Sequence, residues 1–244
     1  MDNSQSWSVI IFCFNEEKSI QTVFSSANEV LKKMTGENYE IIIVDDGSID
    51  QSPSIIKEIA GNNKNVIPVF HSENKGIGQT LRSGYDKVRF ENVSAIPADG
   101  QFDVSELLAH PTVPAKTFIS FYRKENLQYS LFRNILSYIN KLVNDYFLGI
   151  KLKDVNWVKI YKREELMNLD LQIESSLIES EICSKLFLRG NKVIESVSVY
   201  HPRKGGESKG ASLKIVLQAL KDTWKLIKVV NRYKSKYHYS FQKA

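Results

Sequence analysis

The first hundred residues alternate short apolar runs with amphipathic ones, and each apolar run ends in polar residues. Residues 7–14 (WSVIIFCF) are apolar and partly β-branched, which suits a strand buried on both faces. In the next stretch Ile20, Val23, Phe24, Ala27 and Leu31 recur at helical spacing, and Gly36 supplies a stop. Residues 40–44 (EIIIV) read as a second strand, 53–60 as a helix, 66–71 as a third strand, 78–88 as a helix and 94–96 as a fourth strand. This rhythm predicts an α/β fold: a doubly wound, mostly parallel sheet with helices on both faces. Such sheets bind ligands beyond the carboxyl ends of their strands. The polar clusters fall there: Asn15 and Glu16 after the first strand, Asp45 and Asp46 after the second, residues 72–76 after the third, and Asp99 after the fourth.

The second half is less regular. A strand is expected at 117–122, a long helix at 131–148, a strand-like run at 155–161, a helix at 176–189 stopped by Gly190, and a strand at 192–200. Residues 201–210, rich in Gly and Lys, read as a loop. No repeat or low-complexity linker divides the chain. One domain over 1–210 is expected, followed by a basic amphipathic helix and tail over 211–244. On that helix Leu213, Val216, Leu217, Leu220, Trp224 and Ile227 share a face, with Lys214, Lys221, Lys225 and Lys228 on others. The pattern suits either the plane of an anionic membrane or docking on the domain with lysines in water.

Composition narrows the class. The 244 residues are 42% hydrophobic and 25% charged, ordinary for a soluble globular protein. No run of about 18 apolar residues occurs, so no membrane-spanning helix is expected. The N-terminus does not read as a secretory signal, and Cys13 and Cys183 read as buried thiols of a reducing compartment. A cytoplasmic location follows. The net charge of +5 fits phosphate, nucleic acid or an anionic surface. No aromatic-and-basic stripe supports nucleic acid, so none is expected as a partner. Residues 15–17 also stand where a dinucleotide-binding Gly-x-Gly-x-x-Gly would begin, which disfavours an oxidoreductase.

Two carboxylates at the end of a buried strand are costly unless they meet solvent, a metal or a ligand. One of them could cap the next helix with Ser48, but a cap needs a single side chain. Asp99 alone fits a turn, or a site for Mg²⁺ or Mn²⁺, which take one or two carboxylates plus phosphate oxygens.

The segments VIIFCFNEE, EIIIVDDGSID, ENKGIGQTLRSGYDK and PADGQFD together resemble the family-2 glycosyltransferases of GT-A fold. Within them they are most similar to the branch that makes polyprenyl-phosphate sugars. The resemblance covers roughly residues 7–210 and implies roles at matching positions. Phe14, Asn15, Glu16, Asp45, Asp46, Ser48, Lys75, Gly76, Ala98 and Asp99 would bind the nucleotide-sugar, a UDP- or GDP-sugar, with Asp46 on the base or ribose and Asp45 close by. Asp99 and Gln101 would hold a divalent cation, Mg²⁺ or Mn²⁺. Arg123, Arg133 and Arg203 would bind the phosphate of a polyprenyl acceptor. Asp99, Glu181 and Arg203 would serve catalysis, with Arg203 on a mobile basic loop that also includes Gly206 and Ser208. The implied reaction is an inverting transfer at the cytoplasmic face of a membrane, with the chain bound peripherally. The alternatives are transfer to a sugar hydroxyl of a glycan or glycolipid, and a nucleotide-sugar-binding homologue with weakened catalysis. Two departures stand out. Pro97 occupies a position where many relatives carry a second metal-binding Asp, and residues 154–157 (DVNW) depart from the frequent Asp-x-x-x-Gly pattern.

Overall fold

The computed structural model describes residues 6–124, 143–202 and 213–241, with the backbone course alone at 213–220 and 237–241. Seven strands form one sheet: β1 (Trp7–Cys13), β2 (Tyr39–Asp45), β3 (Val66–Phe70), β4 (Asn92–Pro97), β5 (Thr117–Arg123), β6 (Lys159–Lys162) and β7 (Lys192–Ser198). Their order is β3-β2-β1-β4-β6-β5-β7. The β1, β2, β3 and β4 contacts are parallel, as is β5 with β7, while β6 runs antiparallel to both β4 and β5. The sheet is therefore mixed but mostly parallel, as the alternation of elements predicts.

Helices α1 (Ile20–Thr35), α2 (Ser52–Asn62), α3 (Ile77–Tyr85), α4 (Arg163–Met167), α5 (Ile178–Leu188) and α6 (Leu213–Phe241) complete the described architecture, with a 3₁₀ turn at Val104–Ala109. The period-2 pleat explains why the sheet needs both layers. Val9, Ile11, Ile41 and Ile43 point into one core with Ile20, Phe24 and Ile56 from α1 and α2. Ile10, Ile42 and Val44 point into the other with Leu81, Tyr85 and Ile182 from α3 and α5. Continuous apolar strands are the signature of a sheet covered on both faces. Pro68 is tolerated because β3 lies at the sheet edge.

Two expectations are adjusted. The strand-like run at 155–161 is a loop as far as Val158, and β6 begins at Lys159. The helix expected at 131–148 falls outside the described residues up to 142, and Val143–Phe147 forms a short π-helical turn. On α6, Leu226, Val229 and Val230 are buried in the second core, whereas Trp224 is 62% exposed. Among the described residues no helix is long and apolar enough to cross a membrane.

Candidate active site

The site lies along the carboxyl edge of β2, β1 and β4. The loops after β1 and β2 are laced together. Asn15 takes a left-handed conformation (φ 57°), its amide donates to Ser48 Oγ at 2.8 Å, and its Oδ1 accepts from the Ile49 amide at 2.9 Å. The Glu16 amide donates to Ser52 Oγ at 3.0 Å, and Ser19 Oγ donates to the Glu16 carboxylate at 3.1 Å. Asn15, Glu16 and Ser48 thus shape the shelf rather than project from it. Gly47 (φ 69°) is required in the same loop, because a Cβ there would sit 2.4 Å from the Glu73 carbonyl carbon.

The paired aspartates differ sharply. Asp46 is saturated: Oδ1 meets His71 Nδ1 at 2.7 Å and the Lys75 amide at 2.9 Å, and Oδ2 accepts from the Gly76 amide at 2.9 Å. His71 Nε2 continues to Ser83 Oγ at 2.9 Å. Asp46 therefore locks the Lys75–Gly76 turn that leads into α3. Asp45 is 2% exposed; its Oδ2 accepts from the Ser48 amide at 3.2 Å, and its Oδ1 has no hydrogen-bond partner. Burial raises its carboxyl above the usual carboxylate range, a shift opposed by the Ser48 hydrogen bonds. A buried acceptor without a partner is what a ligand donor would complete.

A cavity of about 170 Å³ opens beside Asp99. Phe12, Leu81, Ala95, Pro97, Val158 and Trp157 give it apolar walls. Asp99, Gln101 and Asn156 line it too, as do Tyr85, Tyr161, Lys159 and Glu179. Asp99 Oδ1 accepts from the Gln101 amide at 3.0 Å, and the Gln101 side-chain amide donates to Tyr200 Oη. Glu179 accepts from Tyr85 Oη at 2.9 Å and Tyr161 Oη at 2.6 Å, with Lys159 Nζ at 3.3 Å. Burial drives both phenols well above their ordinary range, and the Glu179 charge adds to it.

Other expected site residues are placed differently. Glu181 does not line the cavity. It is fully buried on α5, where it accepts from the Ile173 amide at 2.8 Å, the Gln172 amide at 2.9 Å and Lys185 Nζ at 2.6 Å. Its helix presents Glu179 to the cavity instead, a residue the sequence reading passed over. The signal was available: residues 179 and 181 diverge by about 200° on a helix, so only one of them faces the sheet edge. Arg123 gives Nε and Nη2 to Asp154 at 2.7 and 3.2 Å, and its guanidinium lies 4.7 Å from the Trp157 ring centre. Phe14 and Ala98 flank the site on the β1 and β4 ends, with Ala98 buried. Arg133 and Arg203, with Gly206 and Ser208, lie outside the described residues.

Residues 8–109 match the sequence profile described as glycosyl transferase family 2. Over that segment the chain is similar in sequence to the family-2 glycosyltransferases. A relative from Photorhabdus laumondii, an undecaprenyl-phosphate 4-deoxy-4-formamido-L-arabinose transferase, is 28% identical over 86% of this chain and 64% of its own. The Pectobacterium atrosepticum protein of the same description is 26% identical over 88% and 66%. The chain therefore spans just under two thirds of the length of these relatives. Among solved structures, glucosyl-3-phosphoglycerate synthase from Mycobacterium tuberculosis, with Mn²⁺, UDP-glucose and phosphoglyceric acid, aligns at TM-score 0.66 and 16% identity, over 92% of this chain and 80% of that one. That likeness carries the GT-A fold.

Among the described residues no group of three or more His, Cys, Asp or Glu could hold a metal ion. Asp99 alone supplies a carboxylate where Pro97 supplies none. One carboxylate fits a cation such as Mg²⁺ that arrives with a diphosphate and draws its other oxygens from phosphate and water.

Proposed function

We propose that the chain transfers a sugar from a nucleoside-diphosphate donor, with inversion, to a polyprenyl phosphate at the cytoplasmic face of a membrane. The observation that carries this reading is the orphaned Oδ1 of Asp45, on the same sheet edge as Asp99. Strand β1 separates the two, so they stand about two strand spacings, ~10 Å, apart. A nucleoside diphosphate covers that span, with an imide or amide N–H of the base on Asp45 and the diphosphate at Asp99. The undecaprenyl-phosphate relatives, which align with 86% and 88% of the chain, support this acceptor.

Each group then has a task. Asp45 accepts from the base, and Asp46 holds the Lys75–Gly76 turn at the nucleotide. A divalent cation at Asp99, with Gln101 beside it, would neutralise charge on the departing diphosphate. The apolar walls of the cavity keep water from the anomeric carbon. A phosphate acceptor is largely dianionic at neutral pH and needs no base, its second pKa being about 6. That accords with Glu179, which already receives two phenols and stands beside an ammonium. Arg133 and Arg203 are the guanidinium groups suited to clamp that phosphate, and Arg123 joins them only by giving up its pair with Asp154.

A transfer assay tests the proposal. Purified chain is mixed with polyprenyl phosphate, Mg²⁺ or Mn²⁺, and labelled UDP- or GDP-sugars. Metal-dependent, acid-labile label in the organic phase, abolished by Asp99→Ala, is the expected result. Label in oligosaccharide instead would assign a hydroxyl acceptor. Nucleotide binding without any transfer would leave a binding protein.

A further inference from the structure

Lys159 opens β6 and is 2% exposed. Its ammonium donates to the Val155 carbonyl at 2.5 Å and to the Trp157 carbonyl at 3.0 Å, and it stands 3.3 Å from Glu179 Oε2. Of the three donors of an ammonium, two go to these carbonyls, and the carboxylate stands within ion-pair distance. The two carbonyls bracket Asn156, which is exposed and lines the cavity beside Trp157. The far end of the same loop is braced separately. Asp154 receives the fork of Arg123, and its Oδ1 accepts from the Asn156 amide at 3.2 Å.

A counter-ion for Glu179 would need only one of the three contacts. Glu179 already accepts from Tyr85 on α3 and from Tyr161 on β6. The two contacts to buried carbonyls are what distinguishes a loop clamp, since an apolar side chain would leave those acceptors short of a donor. We propose that Lys159 is a positioning residue. It ties the backbone of residues 155–157 to Glu179 and so holds Asn156 and Trp157 in place at the cavity beside Asp99. The donor side, through α3, and the loop side of the cavity are thereby fixed to one half-buried carboxylate. Its consequence for turnover rests on the proposed transfer reaction; its effect on the loop does not.

The test compares the double variant K159M/E179Q with E179Q alone. E179Q leaves the Lys159 ammonium without its carboxylate but still on its two carbonyls, whereas the double variant removes ammonium and clamp together. Backbone amide exchange is followed over peptides covering residues 154–158, together with donor affinity and transfer rate. The expected result is exchange at least about tenfold faster over 154–158 in the double variant. Transfer turnover should fall by a further factor of about a hundred, as for a misplaced site wall, with donor affinity within about threefold. Equal exchange over 154–158 in the two proteins overturns the proposal, whatever the turnover. Absence of transfer to polyprenyl phosphate by the unaltered chain would instead sink the proposed function, and the exchange comparison would still decide the role of Lys159.

Discussion

Asp45 and Asp46 are neighbours in sequence with opposite circumstances in the fold. Asp46 has three donors, whereas Asp45 holds a buried oxygen with none. An unsatisfied buried acceptor costs about 1–3 kcal/mol. Its raised carboxyl has a definite sign: protonation is favoured in the folded state, so its stabilising contribution is present in acid and lost as pH rises through the folded value. Asp45→Asn should therefore raise the thermal midpoint of the free protein at pH 7 while weakening nucleotide binding at least about tenfold, or ~1.4 kcal/mol. Scanning fluorimetry with and without UDP or GDP reads both, and unchanged nucleotide affinity would dismiss Asp45 as the contact. Sequence marks the pair as costly, and the family resemblance puts Asp46 on the base, whereas the fold gives Asp46 three protein donors and leaves the orphaned oxygen to Asp45. The division depends on His71, Lys75 and Gly76, some 25 to 30 positions away in the chain. Glu181 shows the same limit. Removing its carboxylate by Glu181→Ala leaves Lys185 buried without its charge partner, and should cost about 3–5 kcal/mol of stability. Chemical denaturation measures that loss, and an unchanged midpoint would contradict the structural role.

At the scale of elements, the parallel half was legible because its strands are apolar throughout and its helices keep a 3.6 period. The run at 155–161 misled for a physical reason. Val155, Trp157 and Val158 are buried as a strand's residues would be, yet Lys159 turns inward and bonds the Val155 and Trp157 carbonyls, and only the Val158 carbonyl meets β5, at the Phe121 amide. The antiparallel entry of β6 is likewise set by long-range pairing with β4 and β5. Helix α3 is held closely at its start, where a Cβ on Gly78 would lie 2.1 Å from the Glu174 carbonyl oxygen. Gly78→Ala should push α3 from residues 174–175 and cost about 1–3 kcal/mol. The loss should appear in urea melts, and a stabilised variant would show that the helix propensity of Ala prevails over the contact. Near the 3₁₀ turn, burial lowers the His110 imidazole below its ordinary range, and its ring packs edge-on to Phe121 at 5.6 Å. The unfolded chain then binds the proton more readily. Stability from this group is present above about pH 6.5, the unperturbed value, and declines as pH falls below it. A thermal midpoint measured from pH 7.5 to 5 should drop less in His110→Gln than in the unaltered chain.

For the molecule as a whole, the question is what the C-terminal helix does with its two sides. Leu226, Val229 and Val230 anchor α6 in the second core, so docking on the domain accounts for that side. Docking leaves Trp224 unaccounted for. It is exposed, Lys228 Nζ lies 5.5 Å from its ring centre, and Lys221 and Lys225 are exposed near it in sequence. An exposed Trp among lysines matches the chemistry of an anionic lipid interface, where each Lys near the surface contributes about 1 kcal/mol. The two sides separate by mutation. Leu226→Ala should cost about 2–5 kcal/mol of stability, because it hollows the core. Trp224→Ala should leave the melting temperature unchanged and weaken co-sedimentation with phosphatidylglycerol vesicles severalfold. The remaining binding should fall steeply between low salt and about 0.15 M, where the screening length is about 8 Å. If Trp224→Ala sediments as the unaltered chain does, the exposed side of α6 plays no part in lipid contact. A polyprenyl acceptor would then have to reach the cavity from another surface of the protein.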